Sequence, residues 1–203
     1  MIDQRPTSCP TTSRRRLTRA LACLVASGFL FLLLTAMVDA GAGVIAQEMV
    51  QSEARLKSAF IFNFAKFVEW PANAFADANS PMVVGIVGKD TLGSALDQVI
   101  QGKSLNGRPM IVHRFAVGQE VQPCHILFVS AKNEANLAQI LQRARGASVL
   151  TVGETEGFLK AGGIIRFVTV DNRLQFEISS SNAAQSGLKI SSKLLQLSRK
   201  PNE

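Results

Sequence analysis

Four short apolar runs are spaced through the middle of this 203-residue chain: PMVVGIVG (81–88), RPMIVHRF (108–115), CHILFVS (124–130) and ASVLTVG (147–153). Runs of this length and apolarity read as buried strands. In DTLGSALDQVI (90–100), Leu92, Ala95, Leu96 and Val99 recur at helical spacing, with Asp90 or Thr91 as cap. NEANLAQILQRAR (133–145) is a second helix, between the third and fourth runs. Strands that alternate with helices pair in parallel, because each helix carries the chain back to the end where the last strand began. The ending has a different grammar. GIIRFVTV and RLQFEIS alternate apolar and polar residues and are joined by Asp171-Asn172, a two-residue turn between β runs. EGFLKAG before them is a short helical turn, and SNAAQSG after them is one or two turns closed by Gly187. SSKLLQLSRK is a last helix capped by Ser191 or Ser192. The expected fold is α/β: a three-layer domain whose mostly parallel sheet is flanked by helices and ends in a C-terminal antiparallel hairpin.

The net charge of +7 suggests a nucleic-acid binder until its distribution is considered. SRRRLTR (13–19) is a basic segment, residues 20–38 carry no charge, and DAGAGVIAQ supplies small residues. That is the grammar of a secretory signal peptide, with cleavage expected near Ala46 and Ala42 as the second choice. The alternative is an uncleaved anchor, since the apolar run approaches the roughly 20 residues that span a bilayer. Removing residues 1–46 takes five of the 22 Lys/Arg and two of the 15 Asp/Glu, leaving 17 and 13, a net +4. Residues 47–203 are then one exported, periplasmic domain with no basic run, and nucleic acid is not an expected partner. Of three cysteines, Cys9 and Cys23 lie in the signal, so the mature chain has one thiol and no internal disulfide. Cys124 opens an apolar strand and is expected to be buried.

FIFNFAKFVEWP (60–71) is the most aromatic stretch. On a helix running from Ser52, its expected N-cap, to Val68, residues Leu56, Phe60, Phe64 and Phe67/Val68 form one stripe. Ile61 and Ala65 widen it, and Phe62 falls outside it. Arg55, Lys57, Asn63, Lys66 and Glu69 interrupt the run, which excludes a membrane span and leaves core packing. Pro71 helps to end the helix, and Glu69-Trp70-Pro71 places a charge and the only indole where the helix enters a loop.

Two blocks, AFIFNFAKFVEWP with CHILFVS and GGIIRFV…NRLQFEIS…AAQSGLKISSKLLQLSR, give the chain a family likeness. From Leu56 to Arg199 it resembles the YfiR family of periplasmic proteins, also known by a domain of unknown function. The resemblance implies a regulator, not an enzyme, without cofactor. Such a protein binds the periplasmic region of an inner-membrane signalling protein, typically a diguanylate cyclase, and holds it inactive. Release raises cyclic di-GMP and promotes biofilm, and an outer-membrane lipoprotein can sequester the repressor. Some members carry cysteine pairs. Here Cys124 occupies one such position, Gly85 stands where its partner would be, and no cysteine follows Gly162-Gly163, so disulfide control is not expected. A small-molecule site near the WP corner and the SGL segment maps by motif onto Glu69, Trp70, Lys189 and Ser191. Lys193 joins them at the start of the last helix, where free N–H groups suit an anion. The alternative for these residues is plain: Ser191 caps the helix and the lysines are solvated.

Enzyme chemistry finds no constellation. His113 and His125 lie on separate strands without metal spacing. Cys124 and His125 point to opposite faces of one strand. Gly85-x-x-Gly88 lacks the flanking residues of a phosphate loop. Glu154 and Glu156 read as solvated, and Ser179 to Ser181 as caps. The rival to a regulatory module is a periplasmic small-ligand binding protein, with an anionic or aromatic ligand at Trp70 and Lys189.

Overall fold

The computed structural model describes residues 48–116, 118–130 and 134–201, and the expected signal peptide, residues 1–46, lies outside them. The four apolar runs are strands β2 (Met82–Gly88), β4 (Arg108–Phe115), β5 (Ile126–Ser130) and β6 (Leu150–Gly153). They pair in parallel, β4 and β5 flanking β2, and β6 beside β5. β7 (Ile165–Val170) joins β6 in parallel, and β8 (Arg173–Ile178) folds back on β7 as the expected antiparallel edge. A two-residue strand, β3 (Ser104–Leu105), pairs antiparallel with the start of β4, giving the order β3-β4-β2-β5-β6-β7-β8. Asp171 and Asn172 have φ of 50° and 57°, the left-handed pair that a two-residue hairpin with matching twist requires.

Helix α1 occupies 48–67, α2 Ser94–Ile100, α3 Glu134–Ala144, α4 Ser180–Gln185 and α5 Ser192–Leu197. Alternate residues of β5 explain the layers. Ile126 and Phe128 enter a core with Phe64, Leu96, Ala183 and Leu194, from α1, α2, α4 and α5. Leu127 and Val129 enter a second core with Leu137 and Leu141 of α3. Helices thus cover both sheet faces, and β5 and β6 are buried along nearly their whole length.

Three local expectations are corrected. α1 is already under way at residue 48, so Ser52 lies within it and is not its cap. Leu56 is 46% exposed, whereas Phe62 is buried to 8%, with the ammonium groups of Lys66 and Lys103 4.4 and 4.5 Å from its ring centre. Glu154 is not simply solvated: its carboxylate lies 2.7 Å from Nζ of buried Lys57, which also meets Glu53 at 2.6 Å. Burial lowers the affinity of Lys57 for its proton, but the two carboxylates outweigh it and hold the pKa above the ordinary lysine value.

Cys124 is buried, which pushes its thiol up to about 12. A Cβ on Gly85 would sit 3.3 Å from Sγ, so position 85 does face the sulfur, and glycine there can close no bridge. Reductant should leave the melting temperature of the monomer unchanged, and a thiol reagent should react only after denaturation. Rapid labelling of the native protein would contradict this placement.

His125 fixes the segment that leads from α1 to β2. Its Nδ1 accepts the Val83 N–H at 3.0 Å, and its Nε2–H donates to the Ala74 carbonyl at 3.1 Å. Phe75 stacks on the imidazole at 4.3 Å, and the Arg108 guanidinium lies over the Phe75 ring, 4.0 Å from its centre. Arg108 also donates to the carbonyls of Asp77 and Ser80. Burial, aided by the charge of Arg108, holds His125 below its ordinary value near 6.5 despite the bond to Ala74. The unfolded chain therefore binds this proton first. The contribution is complete above about pH 6.5 and is lost as pH falls through the native value. Urea midpoints should drop from pH 7.5 to 5.5, and His125→Gln should flatten that slope. An equal slope in the variant would assign the effect to other groups.

Candidate functional site

α1 ends at residue 67, and the chain continues as β1 (Val68–Glu69), which pairs antiparallel with β9 (Lys189–Ile190). Val68 faces Ile190 and Glu69 faces Lys189, and the Ser191 N–H donates to the Phe67 carbonyl at 2.9 Å. The alternation decides which side chains work. Val68 is buried and Ile190 packs on the core, so Glu69 and Lys189 are turned outward. The two segments that the sequence singled out separately are thus stitched into one corner.

Each side of the corner has its own support. On the Trp70 side, the indole packs half-buried against the core, and the chain enters Pro71 in extended conformation and then a 3-10 turn, Ala72–Ala74. Ala74 is the residue whose carbonyl His125 grips. On the Lys189 side, Gly187 reverses the chain after α4 with φ 71°, and the Leu188 N–H reaches back to the Ala183 carbonyl. Asn182 donates to the carbonyls of Leu159 and Gly163, fastening α4 to the preceding turn.

Ser191 is the N-cap of α5: its hydroxyl oxygen accepts the Lys193 N–H at 3.3 Å. Its capping role is therefore real, and its half-exposed position leaves the hydroxyl hydrogen available. Lys189, Lys193 and Glu69 are exposed. The Trp70 Nε1–H is buried without an acceptor among the described residues. The corner can offer an apolar indole, two ammonium groups, a carboxylate and a hydroxyl, a set suited to recognition. Among the described residues, no group of three or more His, Cys, Asp or Glu is placed to hold a metal ion. A cavity of about 740 Å³ lies elsewhere, between the 118–123 loop and α3, and includes none of these five residues in its wall.

Sequence reasoning missed the supporting residues. Nothing local links His125, Phe75 and Arg108, which meet only through the sheet. The Glu53–Lys57 pair was visible as an i,i+4 spacing, but its third member, Glu154, was not.

No helix among the described residues is long and apolar enough to cross a membrane. A family model described as YfiR/HmsC-like (DUF4154) matches residues 54–199, and comparison with curated proteins gave no significant match. That match spans both halves of the corner and the whole sheet, and the chain belongs to the YfiR/HmsC-like family of periplasmic regulatory proteins.

Proposed function

We propose that the protein, exported and freed of residues 1–46, binds the periplasmic domain of an inner-membrane signalling protein and holds it inactive. A diguanylate cyclase or a sensor kinase is the partner class, and Glu69, Trp70, Lys189, Ser191 and Lys193 form the contact. The observation that carries this is the β1–β9 pairing, which joins the WP corner to the SGLKIS segment in a family of regulators. Repression requires tighter binding to the inactive state of the sensor; equal affinity for both states would shift nothing. Each tenfold of repression takes about 1.4 kcal/mol of preference. An outer-membrane lipoprotein competing for the same protein would relieve repression by mass action.

A second reading, a small anionic or aromatic ligand at this corner, is favoured by the Trp70 N–H, which lacks an acceptor among the described residues. A ligand oxygen would satisfy it, with the lysines balancing the charge.

The test pairs Trp70→Ala with a Lys189→Gln/Lys193→Gln double variant. Both should fold with wild-type circular dichroism, lose capture by the sensor domain and leave the signalling protein constitutively active in cells. Trp70→Phe keeps the apolar face without the N–H, so it should repress normally on the partner reading and lose response to a metabolite on the ligand reading. Folded variants that capture and repress like wild type would exclude this corner.

A further inference from the structure

β8 is the last strand of the sheet, and its inner edge is engaged along its whole length by β7, from Ile165↔Ile178 to Val170↔Arg173. Its outer edge is almost bare. Among the described residues, a single parallel bridge reaches it, Glu177↔Arg199, in which the Arg199 N–H donates to the Phe176 carbonyl at 2.9 Å. The next N–H that the strap could donate in a parallel ladder is that of residue 201, to the Ile178 carbonyl, and residue 201 is proline, which has none. The strap after α5 therefore stops at one bridge. Outward backbone groups alternate along an antiparallel pair, so with Phe176 facing out, Leu174 faces out too. Edge strands are ordinarily blunted by charge, proline or cover. Here the cover reaches only the end of the strand.

The side chains around this edge define what would fit. Leu174 and Phe176 lie on the core face, and Phe176 touches Phe60 of α1. Leu56, one turn before Phe60, is 46% exposed, and Leu197, two residues before the bridge, is 70% exposed. The other face of β8 carries exposed Arg173 and buried Glu177, whose carboxylate is held by Arg166 at 2.8 and 3.1 Å. The strap adds Arg199 and Lys200.

We propose that the outer edge of β8 accepts an extended segment of a partner protein as an added strand, displacing the strap beyond Ser198. The segment alternates apolar with acidic residues. Its apolar side chains extend the face of Leu174, and its acids meet Arg173. Main-chain bonds supply affinity in such strand addition, and alternate side chains supply specificity. This surface contains none of the five corner residues, so it succeeds or fails independently of them.

The probe is a fluorescent eight-residue peptide of alternating Glu and Val, read by anisotropy and by hydrogen exchange on the purified protein. It should bind, slow exchange of the Leu174 and Phe176 amides, and bind at least about tenfold more tightly than a Lys-Val peptide. Leu174→Pro removes an outward N–H while sparing the ladder with β7, and should abolish binding. Arg173→Glu, which leaves the backbone intact, should reverse the preference toward Lys-Val. Ending the chain at Ser198 should strengthen binding several-fold. Several results would overturn the proposal: no binding of either peptide, equal binding of both, protection outside β8, or weaker binding after truncation. Protection of the same amides without peptide, rising with protein concentration alongside a dimer in sedimentation, would instead assign the edge to a second copy and equally overturn it.

Discussion

Phe64→Ala should remove about 3–5 kcal/mol of stability, as truncation of a fully buried phenylalanine does. Phe64 has no exposed surface and lies in a cluster of four rings. Its centroid is 5.0 Å from Phe176, 5.7 Å from Phe167 and 6.0 Å from Phe60. Phe167 and Phe176 are opposite each other across the β7–β8 hairpin, so Phe64 is what α1 presses onto the hairpin. A domain of this size has a total stability of about 5–15 kcal/mol, and the loss would be a large part of it. Phe60 meets the same rings, with Phe176 at 5.4 Å, but it is half-buried. Truncating it leaves a dent that water can fill, not a closed void, so Phe60→Ala should cost clearly less. Urea denaturation of the two variants checks the order. A Phe60→Ala cost equal to or above that of Phe64→Ala would show that the exposed side of the cluster carries the packing.

That order was only partly legible in the sequence. Helical spacing identified Phe60 and Phe64 correctly, because both project toward one side of α1. It ranked Leu56 and Phe62 the wrong way round. Leu56 continues the stripe but runs past the sheet, while Phe62 is sheltered by Lys103, a residue about 40 positions later in the chain. Periodicity reports which residues share a face and is silent about where the facing layer ends. The strands were legible for the opposite reason. A residue buried on both faces of a central strand has little choice but to be apolar, so the runs at β2, β5 and β6 announce themselves. The hairpin was legible because only a few residues tolerate the backbone that Asp171 and Asn172 adopt. The corner was reached through resemblance. β1 and β9 are two residues each, too short for any pattern, and they pair across some 120 positions of sequence. Its underpinning by His125 shows the same limit, since a histidine that accepts one backbone bond and donates another has no local signature.

Gly163→Ala should be the most damaging single-methyl change in the domain, through space and not through backbone strain. Gly163 follows Gly162, whose φ of 105° does favour glycine, but its own φ is not in the left-handed region. What forbids a side chain there is Phe158. A Cβ on Gly163 would lie 2.1 Å from Cε1 and 2.2 Å from Cδ1 of that ring, and a Cβ on Gly153 would lie 2.3 Å from Cε2. The ring is therefore wedged between two α-carbons, one at the end of β6 and one just before β7, and it is fully buried. It cannot turn away from one glycine without meeting the other. Forcing a methyl into such a site costs about 1–3 kcal/mol, and more where nothing can give. Crowding and loss of the ring act on one contact, so they should not add. Phe158→Ala alone should cost about 3–5 kcal/mol by leaving a void. Adding Gly163→Ala to it should cost little further, because the methyl then enters the space that the ring has left. Denaturation of the two single variants and the double closes this cycle. Additive losses would mean that position 163 needs glycine for a reason other than Phe158, and the wedge would not be what holds β6 and β7 together at this end.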